Sequence, residues 1–179
     1  MALSREREKA IRKFLAAPPF GRRNVPADHI EMFSAALTHD SYANEEASRS
    51  SGTRSYERLE FLGDAVLELA VCEFIYSDTE LNEGAMTDLK KDIVCNKNIS
   101  LRVTEAGIDI DDSLLVGEGH KEKRTGSNVI EENMRADAFE AVLGAVYLLY
   151  GIEEAERIVR EVLIAPIKEN HDALCGRQI

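Results

Sequence analysis

The chain has 179 residues, of which 33 are acidic and 22 are lysine or arginine, so its formal net charge is −11. This length predicts one domain with a sizeable core, and the charge argues against a protein that holds nucleic acid through bulk positive charge. The N-terminus is rich in arginine and lysine and no apolar run reaches eighteen residues, which indicates no signal peptide and no membrane span, and predicts a cytoplasmic protein without a membrane partner.

The N-terminal part is predicted to form two helices and a polar loop. Ser4 is expected to cap a first helix that ends at Pro18 and Pro19, and a second helix runs to about Ala36. Seven lysines and arginines against two glutamates make residues 1–23 locally basic. This segment either contacts phosphates or is a solvated helix face with internal ion pairs. Residues 46–55 are predicted to be a flexible polar loop.

A long central helix is predicted from Tyr56 to Tyr76. The stretch has no proline, and its apolar residues at positions 59, 62, 66, 69 and 70 recur at helical spacing. Only three charges occur between Phe61 and Tyr76, which indicates a helix surrounded by protein, and Cys72 is interpreted as an ordinary core residue. The three cysteines form no close pair, so neither a disulfide framework nor a zinc site is indicated.

Further helices are predicted over residues 81–95, 98–106, 134–150 and 152–165, with no strands. The segment 117–126 is bounded by glycines and locally basic, and residues 168–179 form a short polar tail. Among these elements, the helix over 134–150 is almost entirely apolar after its first turn and is expected to be buried beside the central helix.

Each of the two apolar helices carries a pair of acids on one face. Glu60 and Asp64 are four residues apart, and Asp137 and Glu140 are three apart. Burying four unpaired carboxylates would approach the whole stability of a typical domain. A divalent cation between the helices removes this cost, and carboxylate oxygens favour magnesium or manganese. The alternative is that each acid lies on a solvated stripe or caps another helix.

Three segments resemble the hallmark motifs of the ribonuclease III endonuclease domain. They are Glu-Arg-Leu-Glu-Phe-Leu-Gly-Asp-Ala-Val-Leu at 57–67, Leu-Thr-His-Asp-Ser-Tyr-Ala-Asn-Glu at 37–45, and Ala-Asp-Ala-Phe-Glu-Ala at 136–141. The likeness covers about residues 5–165. It implies an all-α fold of about seven helices, a single domain over 1–179, and metal-dependent hydrolysis of double-stranded RNA to 5′-phosphate ends with short 3′ overhangs.

The resemblance also implies roles for individual residues. Mg²⁺, for which Mn²⁺ can substitute, would be held by Glu60, Asp64, Asp137 and Glu140. Of these, Asp64 and Glu140 would have the most direct catalytic part. Glu57 and Glu83 are secondary candidates, because Glu83 stands where the family has an acid that supports the site.

Two binding surfaces follow from the same resemblance. The family forms a homodimer through the signature helix, where Phe61 would enter the partner; the alternative for Phe61 is ordinary core packing. Lys121, Lys123 and Arg124 lie in a segment similar to the family's RNA-contacting loop, and the alternative is a plain surface loop. The family tends to have asparagine where this chain has Tyr56. A double-stranded-RNA-binding domain, which family members often add after the nuclease domain, is not expected in the polar tail.

Two other functions remain open on sequence grounds. A catalytically silent relative would bind duplex RNA or the ribosome, but keeping all four acids argues against it, since neutralising them would gain stability. A di-iron carboxylate protein would need Glu-x-x-His pairs on its core helices. Neither apolar helix contains a histidine.

Overall fold

The computed structural model describes residues 3–47 and 53–167, and these residues form nine α-helices and no β-strand. The helices are α1 (Arg5–Ala16), α2 (Ala27–Ala36), α3 (Asp40–Ala47), α4 (Glu57–Asp78), α5 (Glu83–Val94), α6 (Asn96–Glu105), α7 (Ile110–Ser113), α8 (Glu132–Tyr150) and α9 (Ile152–Val159). The last continues through a π-helical turn, Arg160–Ile164.

The all-α prediction is confirmed, while the expected count of about seven helices is too low. The two additional helices are α3, which begins directly after the Thr38-His39 segment, and the four-residue α7. Both are short, so neither offers enough turns for an apolar periodicity to be visible in the sequence. Positions 48–52 of the predicted loop, and the predicted tail at 168–179, lie outside the described residues.

Helices α4 and α8 form the centre of the fold and cross with their backbones in contact. Gly63 of α4 packs on the backbone of α8, where a Cβ would overlap the carbonyl oxygen of Glu140. Gly144 of α8 packs on α4, where a Cβ would overlap the carbonyl oxygen of Leu59. From Ala138 to Val146 every residue of α8 is buried. The prediction that α8 is buried is therefore confirmed.

One face of α4 is open to solvent. Phe61 is 83% exposed, Leu69 55% and Tyr76 79%, and Cys72 is also exposed. The interpretation of α4 as a helix enclosed by protein, with Cys72 in the core, is wrong for this face. A count of charges could not show this, because apolar side chains cover both the core side and the solvent side of the helix.

Much of the basic N-terminal segment is used within the fold. Arg7 is half-buried and donates hydrogen bonds to the carbonyl oxygens of Leu37 (2.7 Å) and Ser113 (2.6 Å). The guanidinium of Arg22 lies 3.5 Å from the centre of the Tyr150 ring and pairs with Glu154 at 2.9 Å. These cations fasten α1 and the following loop to the bundle. No helix of the described residues is long and apolar enough to cross a membrane.

Candidate functional site

Three carboxylates converge where α4 and α8 cross. Glu60 comes from α4, Asp137 and Glu140 come from α8, and one carboxylate oxygen from each lies within 4.8 Å of the others. The glycine contacts just described hold the two backbones close at this level of the helices. Glu140 is 6% exposed, and Glu60 and Asp137 are half-buried. Three carboxyl groups are thus collected in a place where access of water is restricted.

The protonation equilibria of these acids reflect that crowding. Burial, together with the charges of Asp64 and Asp137, raises the pKa of Glu140 to about 8. Burial and the charge of Asp137 raise the pKa of Glu60 to about 7. The pKa of Asp137 is raised as well, again chiefly by burial. Burial and mutual repulsion disfavour the ionised carboxylates, and a cation bound between them would relieve both effects. The cluster therefore attracts a cation strongly.

Asp64 lies at the edge of this group. It is exposed and is not one of the three acids whose oxygens come within 4.8 Å of one another, although its charge contributes to the raised pKa of Glu140. Burial and the charge of Glu68 raise the pKa of Asp64, and Lys90 acts in the opposite direction. Lys90 reaches across from α5 and holds Glu68 at 3.2 Å. The fold therefore brings three of the four predicted metal ligands together and leaves Asp64 beside them.

Asp137 has neutral polar neighbours. Asn96 Nδ2 at the start of α6 donates to its Oδ1 at 3.4 Å, and the nearby Tyr56 side chain acts to lower the pKa of Asp137 against the larger raising effect of burial. Arg135, two residues earlier on α8, turns away and pairs with Asp111 at 2.6 Å. Arg135 therefore does not neutralise the cluster. The Asp137 carboxylate therefore forms no ion pair with Arg135 and can bind another cation.

A histidine pair lies next to Tyr56. The His39 ring meets the Tyr56 ring edge-on at 5.4 Å and the His120 ring at 5.1 Å. His39 Nδ1 is 2.8 Å from Ser41 Oγ, whose oxygen also accepts a hydrogen bond from the backbone nitrogen of Gly117 (2.9 Å). Burial lowers the pKa of His39. These contacts join α3 to the segment after α7.

The two secondary candidates occupy different surroundings. Glu57 is exposed, accepts a hydrogen bond from Ser55 Oγ (2.9 Å), and adds to the raised pKa of Glu60. Glu83 is exposed at the first residue of α5, where Thr87 Oγ1 lies 3.4 Å from its carboxylate. The structure does not bring Glu83 into the group of three acids.

The predicted RNA-contacting segment forms a hydrogen-bonded hairpin turn. The backbone of Glu122 donates to Ser127 (2.9 Å), and that of Val129 donates to His120 (2.7 Å). Lys121 is paired with Glu118 at 2.6 Å. Lys123 and Arg124 are exposed, with no hydrogen bond or ion pair to any described residue. Of the three predicted contacts, these two present free positive charge.

Comparison with known proteins identifies the fold that carries this site. A sequence profile described as Ribonuclease-III-like matches residues 29–167. The chain belongs to the ribonuclease III family. Among curated relatives, the Ribonuclease 3 of Pelotomaculum thermopropionicum is 41% identical over 137 residues, which are 76% of this chain and 54% of that protein. The Ribonuclease 3 of Onion yellows phytoplasma is 33% identical over 145 residues, 81% of this chain and 57% of that protein.

The structural comparison agrees with this assignment to the ribonuclease III family. The nuclease domain of ribonuclease III from Campylobacter jejuni superimposes with a TM-score of 0.64 at 25% identity, covering 86% of this chain and 96% of that one. The Campylobacter jejuni domain is described as structurally flexible in a region involved in dimer formation. The present chain spans slightly more than half the length of the curated ribonuclease III relatives it matches.

Sequence reasoning missed four polar neighbours of the ribonuclease III cluster: Tyr56, Glu68, Lys90 and Asn96. Glu68 was the easiest to find, because it continues the face of α4 that carries Glu60 and Asp64 at intervals of four residues. Lys90 and Asn96 reach the site from α5 and α6, so only tertiary packing reveals them. Tyr56 precedes the helix, and an isolated tyrosine gives no signal of its own.

Proposed function

We propose that the chain is a metal-dependent endoribonuclease that hydrolyses double-stranded RNA. The observation that carries this proposal is the convergence of Glu60, Asp137 and Glu140 at the α4–α8 crossing of a ribonuclease III fold. A protein with a purely binding function would gain stability by replacing acids whose pKa values are raised by burial and mutual repulsion.

The proposed metal is Mg²⁺, for which Mn²⁺ can substitute. The donors are all carboxylate oxygens, the preferred ligands of these hard cations. No described lysine or arginine forms an ion pair with any of the three clustered acids, so a divalent ion is the cation that fits. When bound, such ions neutralise phosphate oxygens, lower the pKa of a water molecule and stabilise the leaving oxygen.

The residues of the chain then have distinct parts in the proposed reaction. Glu60, Asp137 and Glu140 would hold the metal from two helices that cannot move apart without breaking the core. Asp64 is exposed at the edge of the cluster, and this supports a role in contact with a phosphodiester that approaches from solvent. We assign the most direct catalytic roles to Asp64 and Glu140. Hydrolysis would leave a 5′-phosphate and a 3′-hydroxyl.

We further propose that the active form is a homodimer joined through the open face of α4. Phe61, Leu69 and Tyr76 recur along that face and are more than half exposed, which is unusual for large apolar side chains in a monomer. Two-fold symmetry would place one acid cluster on each strand of a duplex, with opposite polarity, so that the cuts are staggered and leave short 3′ overhangs.

A cleavage assay tests the proposed function. The chain is incubated with end-labelled duplex RNA in Mg²⁺, in Mn²⁺, and in EDTA, with single-stranded RNA of the same sequence as control. We expect discrete duplex cleavage products with either metal and intact RNA in EDTA. Binding of the duplex without cleavage in either metal would contradict the proposal and indicate a catalytically silent relative.

A further inference from the structure

An asparagine at the corner between α5 and α6 reaches the acid cluster from a third helix. Asn96 is the first residue of α6, and its side-chain nitrogen Nδ2 lies 3.4 Å from Oδ1 of Asp137. The same nitrogen lies 3.3 Å from Oδ1 of Asn133, which is one turn before Asp137 on α8. An amide nitrogen carries two hydrogens, so it can donate to both acceptors at once. Asn96 thus links α6 to two successive turns of α8.

The corner that carries Asn96 is fixed on both sides. Ile93 in the last turn of α5 and Ile99 in α6 are 1% and 0% exposed, so both are held in the core. Between them, Asn98 Nδ2 donates to the carbonyl oxygen of Ile93 at 2.8 Å. The backbone nitrogens of Asn98 and Ile99 both donate to the carbonyl oxygen of Cys95 (2.9 and 3.0 Å). The backbone of Asn96 is therefore held in place relative to the core, and its amide reaches α8 from a defined position.

The neutrality of this amide matters for the Asp137 carboxylate. Arg135 pairs with Asp111, and no lysine or arginine among the described residues forms an ion pair with Asp137. A cationic side chain at the place of Asn96 would compete with a metal ion for the same carboxylate oxygens. An amide donor orients the carboxylate and leaves its negative charge in place.

We propose that Asn96 is a positioning residue that sets the affinity of the acid cluster for divalent metal by orienting the Asp137 carboxylate. This inference rests on the proposed function, since it takes Asp137 as a metal ligand. Hydrogen-bonded partners of metal ligands fix the ligand's orientation before the ion arrives, so less conformational freedom is lost on binding. With Nδ2 directed at Asp137, Asn96 presents a donor to the cluster and no metal-binding atom.

The first experiment measures Mn²⁺ binding to the full chain in the absence of RNA, by electron paramagnetic resonance of the free ion. Asn96→Ala removes the donor, and Asn96→Leu removes it while keeping a side chain of similar size. We expect each variant to bind Mn²⁺ about tenfold more weakly, the lower end of the effect of losing a hydrogen-bond partner of a ligand. The lower end applies because the contact of 3.4 Å is longer than the usual range of about 2.7–3.2 Å.

Asn98→Ala is the matched control. It removes an amide from the same corner, but that amide bonds to the carbonyl oxygen of Ile93 and not to an acid. The Asn98 variant should bind Mn²⁺ as the unsubstituted chain does, even where it lowers the free energy of unfolding. The control thereby separates the orientation of Asp137 from a general loosening of the α5–α6 corner.

The Mg²⁺ dependence of duplex cleavage gives a second readout. If Asn96 acts on metal affinity alone, Asn96→Ala should need about tenfold more Mg²⁺ for half of its maximal rate and should approach the normal rate at saturating Mg²⁺. A normal Mn²⁺ affinity in either folded Asn96 variant, or equal weakening in Asn98→Ala, overturns the inference and leaves the proposed function intact. Failure of the proposed function gives a different result: the unsubstituted chain would neither bind Mn²⁺ nor cleave duplex RNA.

Discussion

Gly63 and Gly144 lie against each other's helices, so that α4 and α8 approach closely enough for their backbones to touch. A Cβ at Gly63 would lie 2.6 Å from the carbonyl carbon of Glu140, and a Cβ at Gly144 would lie 3.1 Å from the backbone nitrogen of Gly63. Both contacts are with backbone atoms, which cannot rotate aside as a side chain can. The separation of the helices, and with it the spacing of Glu60 from Asp137 and Glu140, depends on these two missing methyl groups.

Gly144→Ala is expected to lower the free energy of unfolding by about 3 kcal/mol, because overpacking a rigid core typically costs 1–3 kcal/mol and here the backbone itself must move. The measurement is urea unfolding followed by circular dichroism. Gly84→Ala is the control, since a Cβ on this helical glycine meets only the Asn82 side chain at 3.6 Å. Equal stabilities of the two variants would contradict the close packing of α4 on α8.

Glu140→Gln is expected to reduce the rate of duplex cleavage by several orders of magnitude in saturating Mg²⁺, since it removes a buried ligand of the proposed metal site. Binding of the duplex should change little. The control is Glu153→Gln, an exposed acid in the first turn of α9 and outside the cluster, which should retain most activity. Cleavage by Glu140→Gln within tenfold of the normal rate would refute the assignment.

The metal-free protein is expected to lose stability as the pH rises. Glu140 and Glu60 have ordinary pKa values of 4.5, raised in the fold to about 8 and about 7. The native state therefore binds these protons more tightly than the unfolded chain does. The free energy of unfolding should fall between about pH 4.5 and pH 8 as the protons are lost.

Glu140→Gln tests the sign of this effect. At pH 8 in EDTA it should stabilise the protein by at least about 1.4 kcal/mol, the equivalent of one pKa unit, and at pH 4.5 it should have little effect. Thermal unfolding at both pH values gives the comparison, and Mg²⁺ at pH 8 should reproduce the stabilisation in the unsubstituted chain. If the metal-free protein were more stable at pH 8 than at pH 5, other groups would have to neutralise the repulsion between the ionised carboxylates, and the prediction would be wrong.

Phe61→Ala is expected to weaken the proposed homodimer. An aromatic side chain that is 83% exposed in one protomer and buried by the partner would be an interface anchor worth about 2 kcal/mol or more, which corresponds to roughly a thirtyfold rise in the dissociation constant. Sedimentation equilibrium measures it. Leu101→Ala on α6 removes another exposed apolar side chain (49%) and should leave the dimer unchanged. A wild-type monomer at micromolar concentration would contradict the proposal.

Lys123→Ala combined with Arg124→Ala is expected to weaken duplex binding and to reduce its salt dependence. By analogy with duplex DNA, each lost phosphate contact reduces the slope of log affinity against log salt concentration by about 0.9. Lys121→Ala should have a smaller effect, since Lys121 is already paired with Glu118. Salt titrations of duplex binding by both variants measure the two effects. Unaltered binding by the double variant would place the RNA path elsewhere, for example along the exposed cations of α1.

The sequence predicts those features of the site that depend on residues close together along the chain, and it does not predict the contacts between distant residues. Helical periodicity is local, so the spacing of the acids at i,i+4 and i,i+3 is enough to place each pair on one face of its helix. The open face of α4 could not be recognised, because Phe61 and Leu69 are as apolar as the buried Val66 and Leu67. The Asn96–Asp137 contact joins residues 41 positions apart and depends on how α6 packs against α8.

The attachment of the basic hairpin to α3 bears on how this family can diversify. Ser41 and Glu45 of α3 accept hydrogen bonds from the backbone nitrogens of Gly117 and Glu118 (2.9 Å each), and Asn128 donates to the carbonyl oxygens of Asp111 and Leu114. Both ends of the hairpin are thereby anchored, while its tip at residues 123–126 is exposed. Under the proposed RNA contact, changes of charge at the tip would alter the affinity for duplex RNA without moving any acid of the cluster. The proposed phosphate contacts and the proposed metal ligands thus lie on separate segments of the fold, so each can change without displacing the other.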